Sequence, residues 1–191
     1  MVEAFNTIFG ALTLVCWAFL AVTAVCAVAR GSVWRSWAAL VRPMALKVAA
    51  LVAVVAMLGS LYYSEIAKFV PCEYCWYQRI GIYPLALILT IAAFRDDRGI
   101  RVYVLPINAI TALVSVYHIL MERFPSVFES QCSTTVPCSL IWFESFGFIT
   151  LPTMALTTSV TIGVLLLVGG GRGATTGDES SAADLGVDDL D

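Results

Sequence analysis

The chain has 191 residues, of which 60% are hydrophobic and only 13% charged, with a formal net charge of −3; its mean hydropathy is +0.87. Soluble domains carry roughly a quarter charged residues, so this composition excludes an ordinary water-soluble fold and points to an integral membrane protein. Without a basic excess there is no electrostatic reason to expect a nucleic acid partner, and no internal repeat, phosphate-binding loop or HExxH metal motif occurs.

Charged residues divide the chain into uncharged runs at 4–29, 48–64, 80–94, 102–121 and 145–171. A helix rises about 1.5 Å per residue and needs roughly 20 residues to cross a hydrocarbon core of about 30 Å, so each run is a candidate span of an all-α membrane protein. The first is preceded by Glu3 instead of a basic n-region and is long for the apolar core of a cleaved signal, so it reads as a retained helix over 1–30. Cys16 and Cys26, within it, are assigned only packing roles. The third run reaches about 22 Å and is too short alone. Its helix must borrow the preceding turn 75–79, which puts Cys72-Glu73-Tyr74-Cys75 at a helix start on the membrane edge. Past 169 the composition turns to Gly, Ser, Ala and Asp, so 169–191 is expected to be a disordered acidic tail on a membrane domain spanning 44–168.

Positive residues in short loops favour the cytoplasmic side. Of 11 Lys and Arg, Arg30, Arg35, Arg42, Lys47, Arg95, Arg98, Arg101 and Arg172 fall on one side; Lys68, Arg79 and Arg123 fall on the other. The N-terminus is therefore expected outside and the C-terminus in the cytoplasm. Both cysteine pairs, Cys72/Cys75 and Cys132/Cys138, then face the oxidising extracytoplasmic compartment of the cell membrane, where disulfides persist.

A Cys-x-x-Cys at a helix N-terminus brings two sulfurs within bridging distance and aims backbone N–H groups at one of them, which stabilises a thiolate. That favours a redox-active pair. A plain stabilising disulfide, or a zinc site completed by Cys132 and Cys138, would use the same residues. Arg79 lies one helical turn beyond Cys75, on the same face and about 6 Å along the axis. There it could hold an anion or a carbonyl beside the sulfur, or simply snorkel to the interface. His118, the only histidine, sits near the outer end of the fourth run; an ionisable group in a span is a functional candidate, and with Arg79 it could hydrogen bond a quinone oxygen. Cys132 and Cys138 lie in the outer loop 122–144 and would close a small exposed ring open to a soluble thiol protein. Leu140-Ile141-Trp142-Phe143 reads either as an interfacial segment or as the lead-in to the last helix.

Pro71-Cys72-Glu73-Tyr74-Cys75-Trp76-Tyr77-Gln78-Arg79 resembles the CxxCxxxR signature of the DsbB/BdbC family of disulfide bond formation proteins. Tyr117-His118, Phe124-Pro125-Ser126, Cys132, Cys138 and Phe146-Gly147-Phe148-Ile149-Thr150-Leu151-Pro152 are similar to that family's later half, and the short Cys132 to Cys138 spacing is similar to its BdbC branch. The resemblance implies a four-helix transmembrane bundle, here with one extra N-terminal transmembrane helix. It implies a thiol oxidase that reoxidises a thioredoxin-like partner of the DsbA/BdbD type and passes two electrons to quinone, either ubiquinone or menaquinone. Cys132, bridged to Cys138, would take the mixed disulfide; the Cys72–Cys75 bridge would be reduced next; Cys75 would face the quinone, bound by Arg79 and His118. Glu73 and Tyr74 receive no role. A vitamin K epoxide reductase-like protein, whose CxxC belongs near the last core helix, and a non-enzymatic disulfide-stapled or metal-binding membrane protein are the alternatives.

The expected orientation predicts that, after reduction, an impermeant maleimide added outside intact cells labels Cys72, Cys75, Cys132 and Cys138. Labelling of these residues only from the cytoplasmic face would reverse the topology.

Overall fold

The computed structural model describes residues 2–127, 132 and 137–170. From 171 on the expected disordered tail lies outside the described residues, while Gly169 ends the last helix and Gly170 caps it. Five helices are long and apolar enough to cross a membrane: Val2–Ala29, Ala45–Ile66, Glu73–Arg95, Arg98–Arg123 and Leu151–Gly169. We label the α-helices α1 (Val2–Ala29), α2 (Gly31–Val41), α3 (Ala45–Leu61), α4 (Glu73–Arg95), α5 (Arg101–Arg123) and α6 (Leu151–Gly169). Among the described residues the only β-type pairing is the isolated bridge between Ser145 and Ile149.

α2 was not expected from the sequence, where the arginines around it read as loop charges. Trp34, Trp37, Ala38 and Val41 recur at helical spacing and form its less exposed face, while Arg35 points away on the exposed one. Arg30 at φ 52° and Gly31 at φ 61° turn the chain back after α1. Trp37 then lies 6.1 Å from the Phe19 ring and donates Nε1–H to Thr23 Oγ1 at 3.2 Å.

α4 starts at Glu73, so the short third run does borrow the turn before it, and more than that turn. The last run behaves differently: α6 begins only at Leu151, not at 145. Phe146 at φ 54° and Gly147 at φ 79° form a reversal closed by the Ser145–Ile149 bridge. Pro152, in the first turn of α6, fits a helix start because its missing N–H would be unpaired there anyway.

α3, α4, α5 and α6 each pack on the next, and α6 returns to α3, closing a four-helix bundle; α1 lies along α6, with α2 against both. The core is Ala45, Ala49 and Ala53 of α3, Leu85, Ala86 and Leu89 of α4, Val104 of α5, and Ile162 and Leu165 of α6. Small residues let helix backbones approach, and this dispersion is what drives association where lipid is as apolar as the protein. Hydrogen bonds between helices add about 0.6–2 kcal/mol each. Gln78 Nε2 donates to Ser115 Oγ at 3.2 Å, Asn108 Nδ2 to the Ser159 carbonyl at 2.8 Å, and Trp17 Nε1 to Thr157 Oγ1 at 2.7 Å.

At Gly81 the backbone of α4 meets Thr111 of α5 so closely that a Cβ would overlap the threonine side chain. Gly81→Leu is expected to force these helices apart at a cost of about 1–3 kcal/mol, read as a lowered thermal midpoint in detergent. An unchanged midpoint would refute the close approach.

Candidate redox site

The α3 helix ends in a π-helical turn, Tyr62–Ile66. The chain then passes Lys68 at φ 59° and Pro71 to reach Cys72. Cys72 is extended (φ −74°, ψ 175°) and caps α4, its Sγ accepting the Cys75 backbone N–H at 3.3 Å. The two sulfurs of the Cys-x-x-Cys stand 2.9 Å apart. The positive end of the α4 dipole therefore points at this pair, as the spacing suggested.

His118, 2% exposed, reaches the pair from α5. Its Nε2 is 3.1 Å from the Cys138 carbonyl oxygen and 3.6 Å from Cys72 Sγ. A carbonyl can only accept, so Nε2 carries the proton and also faces the Cys72 sulfur. Nδ1 is buried with no partner among the described residues.

Cys132 and Cys138 form a disulfide with Cα atoms 5.9 Å apart. The loop pair is not wholly exposed, as the sequence reading had it: Cys138 is buried, packed with Cys72 and Met121, and only Cys132 is partly open. Both cysteine pairs thus belong to one sulfur cluster. The Cys75 thiol hydrogen bond, outweighing the opposing desolvation and helped by His118, holds the Cys72 thiol down to about 4.

Two cavities meet at Cys75. A small one is lined by Cys72, Cys75, His118, Glu122 and Pro137. A large apolar one, about 440 Å³, runs along α3 and α6 and takes in Cys75, Gln78, Arg79, Tyr63 and Ser60 at one end. Cys75 is the only cysteine of the two pairs that lines both; Trp142 and Leu151 complete the partition. Arg79 and His118 therefore fall on opposite sides of the dithiol, Arg79 in the large cavity and His118 in the small one.

Arg79 is held inward, not left to snorkel. Its Nε donates to Ser60 Oγ and its Nη2 to the Ser60 carbonyl, both at 3.0 Å, and its guanidinium lies 5.3 Å from the Trp76 ring centre. Tyr83 Oη also bonds Ser60 Oγ, at 3.2 Å. Three residues were missed by sequence reasoning. Ser60 fixes Arg79; Tyr63 lines the large cavity with a buried hydroxyl that has no partner among the described residues; Glu122, buried one turn beyond His118, accepts from Thr150 Oγ1 at 2.7 Å. Glu122 follows His118 by four residues, a legible helical spacing, but its charge ends the uncharged run 102–121 and so reads as the start of the outer loop. Ser60 and Tyr63 carry no motif.

Leu140 to Phe143 is not part of α6. Trp142 stacks on Phe69 at 4.9 Å and Phe143 on Tyr63 at 5.1 Å, so this loop is clamped to the segment leading into Cys72. Cys16, assigned only a packing role, in fact lines the large cavity. A zinc site using all four cysteines is not formed, because Cys132 and Cys138 are bonded to each other. The metal-competent group among the described residues is Cys72, Cys75 and His118, whose ligand atoms lie within 4.8 Å of one another.

A helical membrane bundle that stacks a loop disulfide on a capped Cys-x-x-Cys beside an apolar cavity defines a membrane thiol–disulfide redox protein. Residues 42–169 match the family described as Disulfide bond formation protein DsbB, and the chain belongs to that family. Its relatives include Disulfide bond formation protein C of Bacillus subtilis, 51% identical over 112 residues, covering 58% of this chain and 81% of the relative. A probable disulfide formation protein of Oceanobacillus iheyensis is 44% identical over 119 residues, 61% of this chain and 81% of the relative. Another, from Coxiella burnetii, is 42% identical over 120 residues, 62% of this chain and 82% of the relative. No solved structure matches the chain. Membership implies a disulfide-forming oxidoreductase, which sets aside the purely structural and metal-binding alternatives.

Because the folded protein lowers the Cys72 value, the thiolate's contribution to stability is complete above the ordinary thiol range and disappears as pH falls through about 4. In the reduced protein, the ultraviolet absorbance of one thiolate is expected to persist down to about that pH, and His118→Ala to move its midpoint upward. A midpoint at the free-thiol value in the parent would refute the assignment.

Proposed function

We propose that the protein is a membrane thiol oxidase that reoxidises an extracytoplasmic thioredoxin-fold dithiol partner and delivers the two electrons to a membrane quinone. The observation that carries this reading is the position of Cys75, which lines the small chamber shared with Cys72, His118 and Pro137 on one side and the large apolar cavity on the other.

Cys132 is the more accessible sulfur of the loop bridge. A partner thiolate attacks it, the Cys132–Cys138 bond breaks, and a mixed disulfide forms while Cys138 leaves as thiolate. The partner's second thiolate resolves that bond and departs as part of a disulfide, leaving Cys132 and Cys138 as a dithiol carrying two electrons. Cys138, packed on Cys72, then attacks that sulfur, Cys75 leaves as thiolate, and Cys132 resolves the Cys138–Cys72 bond, restoring the loop disulfide and leaving the inner pair reduced. The Cys72 thiolate so formed is stabilised by the Nε2–H of His118 and by the helix start.

The large cavity suits a quinone. Its volume of about 440 Å³ falls in the usual range for small-ligand sites of about 300–1,000 Å³, and its walls are apolar. At its Cys75 end, Arg79 keeps N–H donors beyond the two given to Ser60, and the Tyr63 hydroxyl has no partner among the described residues. A bound quinone would supply a two-electron, two-proton acceptor, and loss of those electrons and protons from the inner dithiol re-forms the Cys72–Cys75 bond. Arg79 and Tyr63 would bind its oxygen and favour the negative charge that develops there, with Cys75 as the adjacent sulfur. His118 would contribute from behind the dithiol by stabilising the Cys72 thiolate, while Glu122, a buried carboxyl in the same chamber, can hold one of the two thiol protons. Ubiquinone and menaquinone both fit this chemistry.

The direct test is quinone loss when the purified protein is mixed with a reduced thioredoxin-fold donor; no quinone-dependent donor oxidation would sink the reading. Cys138→Ser is expected to trap a mixed disulfide through Cys132, and an adduct through Cys72 instead would reverse the relay. Arg79→Ala removes a charge-assisted contact worth about 1.5–3 kcal/mol, so it is expected to lower efficiency at limiting quinone by roughly tenfold to a hundredfold while leaving the loop disulfide intact. Arg79→Lys should recover only part, lacking the planar fork. Parental turnover in the alanine variant would return Arg79 to a structural role.

A further inference from the structure

We propose that α1, which lies outside the family-matched residues 42–169, forms the wall of a subsite for the quinone's hydrocarbon tail; this rests on the quinone reading above. The end of the large cavity that carries chemistry, around Cys75 and Arg79, is built wholly from the matched bundle and the loops beside it. Its apolar length is closed by α1, through Phe9, Thr13, Cys16 and Phe19.

The pattern of α1 is that of a docked wall. Positions 2, 5, 6, 9, 10, 13, 16, 19, 20, 23 and 26 are partly or fully buried, one stripe at alternating three- and four-residue spacing, and the positions between them are exposed to the surroundings. The stripe is pinned mainly at the cysteine end. Phe5 stacks on Tyr62 at 3.9 Å, Phe9 covers Gly59 so closely that a Cβ there would lie 2.6 Å from its ring, and Ser145 Oγ donates to the Asn6 carbonyl at 3.1 Å. Trp17 bonds Thr157 of α6. Beyond the Phe9–Gly59 contact α1 follows α6 more than α3. Leu12, Val15 and Leu51 line the cavity yet are 43%, 65% and 61% exposed, so it opens sideways between α1 and α3, toward the lipid.

A flat ring occupies only the Cys75 end. Residues 9 to 19 of α1 cover about 15 Å more along the helix axis, lined by apolar groups and by the small side chains of Thr13 and Cys16, a shape for a linear hydrocarbon. The continuity of that channel with Cys75 and Arg79 favours the tail of the electron acceptor over a phospholipid acyl chain, which has no business at the sulfur end.

Cys16 marks the middle of this wall, where its side chain comes up to Thr161 of α6. Cys16→Trp should fill the channel and spare the ring end. The readout is binding to the full-length protein in detergent, by quenching of intrinsic tryptophan fluorescence, with a tailless dimethoxy-methyl-benzoquinone and its decyl-tailed counterpart. The parent is expected to prefer the tailed quinone, and Cys16→Trp to reduce that preference at least tenfold. Val25→Trp, on the exposed face of α1, should leave it unchanged. Should Cys16→Trp fail to insert, Thr13→Leu gives the same comparison with a smaller expected loss. A preference that survives both substitutions overturns the proposal while the quinone reading stands, and so does a parent that binds both quinones equally or that yields phospholipid and no quinone on extraction of the cavity's occupant. A parent that binds neither quinone overturns the quinone reading and this inference together.

Discussion

Everything at the reactive end of this molecule depends on one helix start. Cys72 is both the cap of α4 and half of its Cys-x-x-Cys, so the hydrogen bond that ends the chain's extended approach and begins the helix is made to a sulfur. An ordinary cap oxygen would serve stability alone. Here the same interaction fixes the sulfur's position, directs the dipole at it and biases it toward thiolate. His118 and the Cys138 carbonyl then assemble around a point already set by the backbone, and Arg79 is carried to its place two turns into the same helix.

The proposed relay between a water-soluble and a lipid-soluble reactant would have to keep the two apart while sharing electrons. The partition of Cys75, Trp142 and Leu151 does this with one redox-active group and two apolar ones. On the loop side, buried polar groups such as His118 and Glu122 line a chamber far smaller than the other. On the lipid side Arg79, Tyr63 and Tyr83 gather at the Cys75 end, while the polar groups farther along the described lining are threonines. Segregating these chemistries costs little because the surrounding bundle is held by small residues and a few interhelical hydrogen bonds, which leaves its large side chains free to shape the cavity.

Much of this was legible in the sequence because membrane thickness converts directly into residue counts. Five spans, the start of the third at the cysteines, and the meeting of both cysteine pairs at one end all follow from run lengths and motif spacing. The start of α6 was misplaced because hydropathy does not register a reversal, and Phe146-Gly147 is as uncharged as a helix. α2 was missed for the opposite reason: its charges masked an apolar stripe. Arg79 and His118 carry a sequence signal as ionisable groups near the ends of spans, but depth along a helix does not give azimuth, so their separation by the dithiol could not be read from spacing. Tyr63, Ser60 and the cavity-facing role of Cys16 come from tertiary packing between segments distant in sequence, for which one chain offers no local signal.

Trp142 has a dual attachment. It belongs to the loop that carries Cys138, four residues away, and its ring is stacked on Phe69 as part of the wall between the two chambers. Under the proposed function, a molecule pressing on that ring from the cavity side would also load the loop, and opening the loop disulfide would load the ring. Such coupling is reciprocal in free energy: whatever occupation of the cavity does to the affinity of the loop for a docked protein, docking must do in equal measure to the affinity of the cavity. Under the proposed function, the two reactants would thereby be linked in free energy through a single indole without meeting.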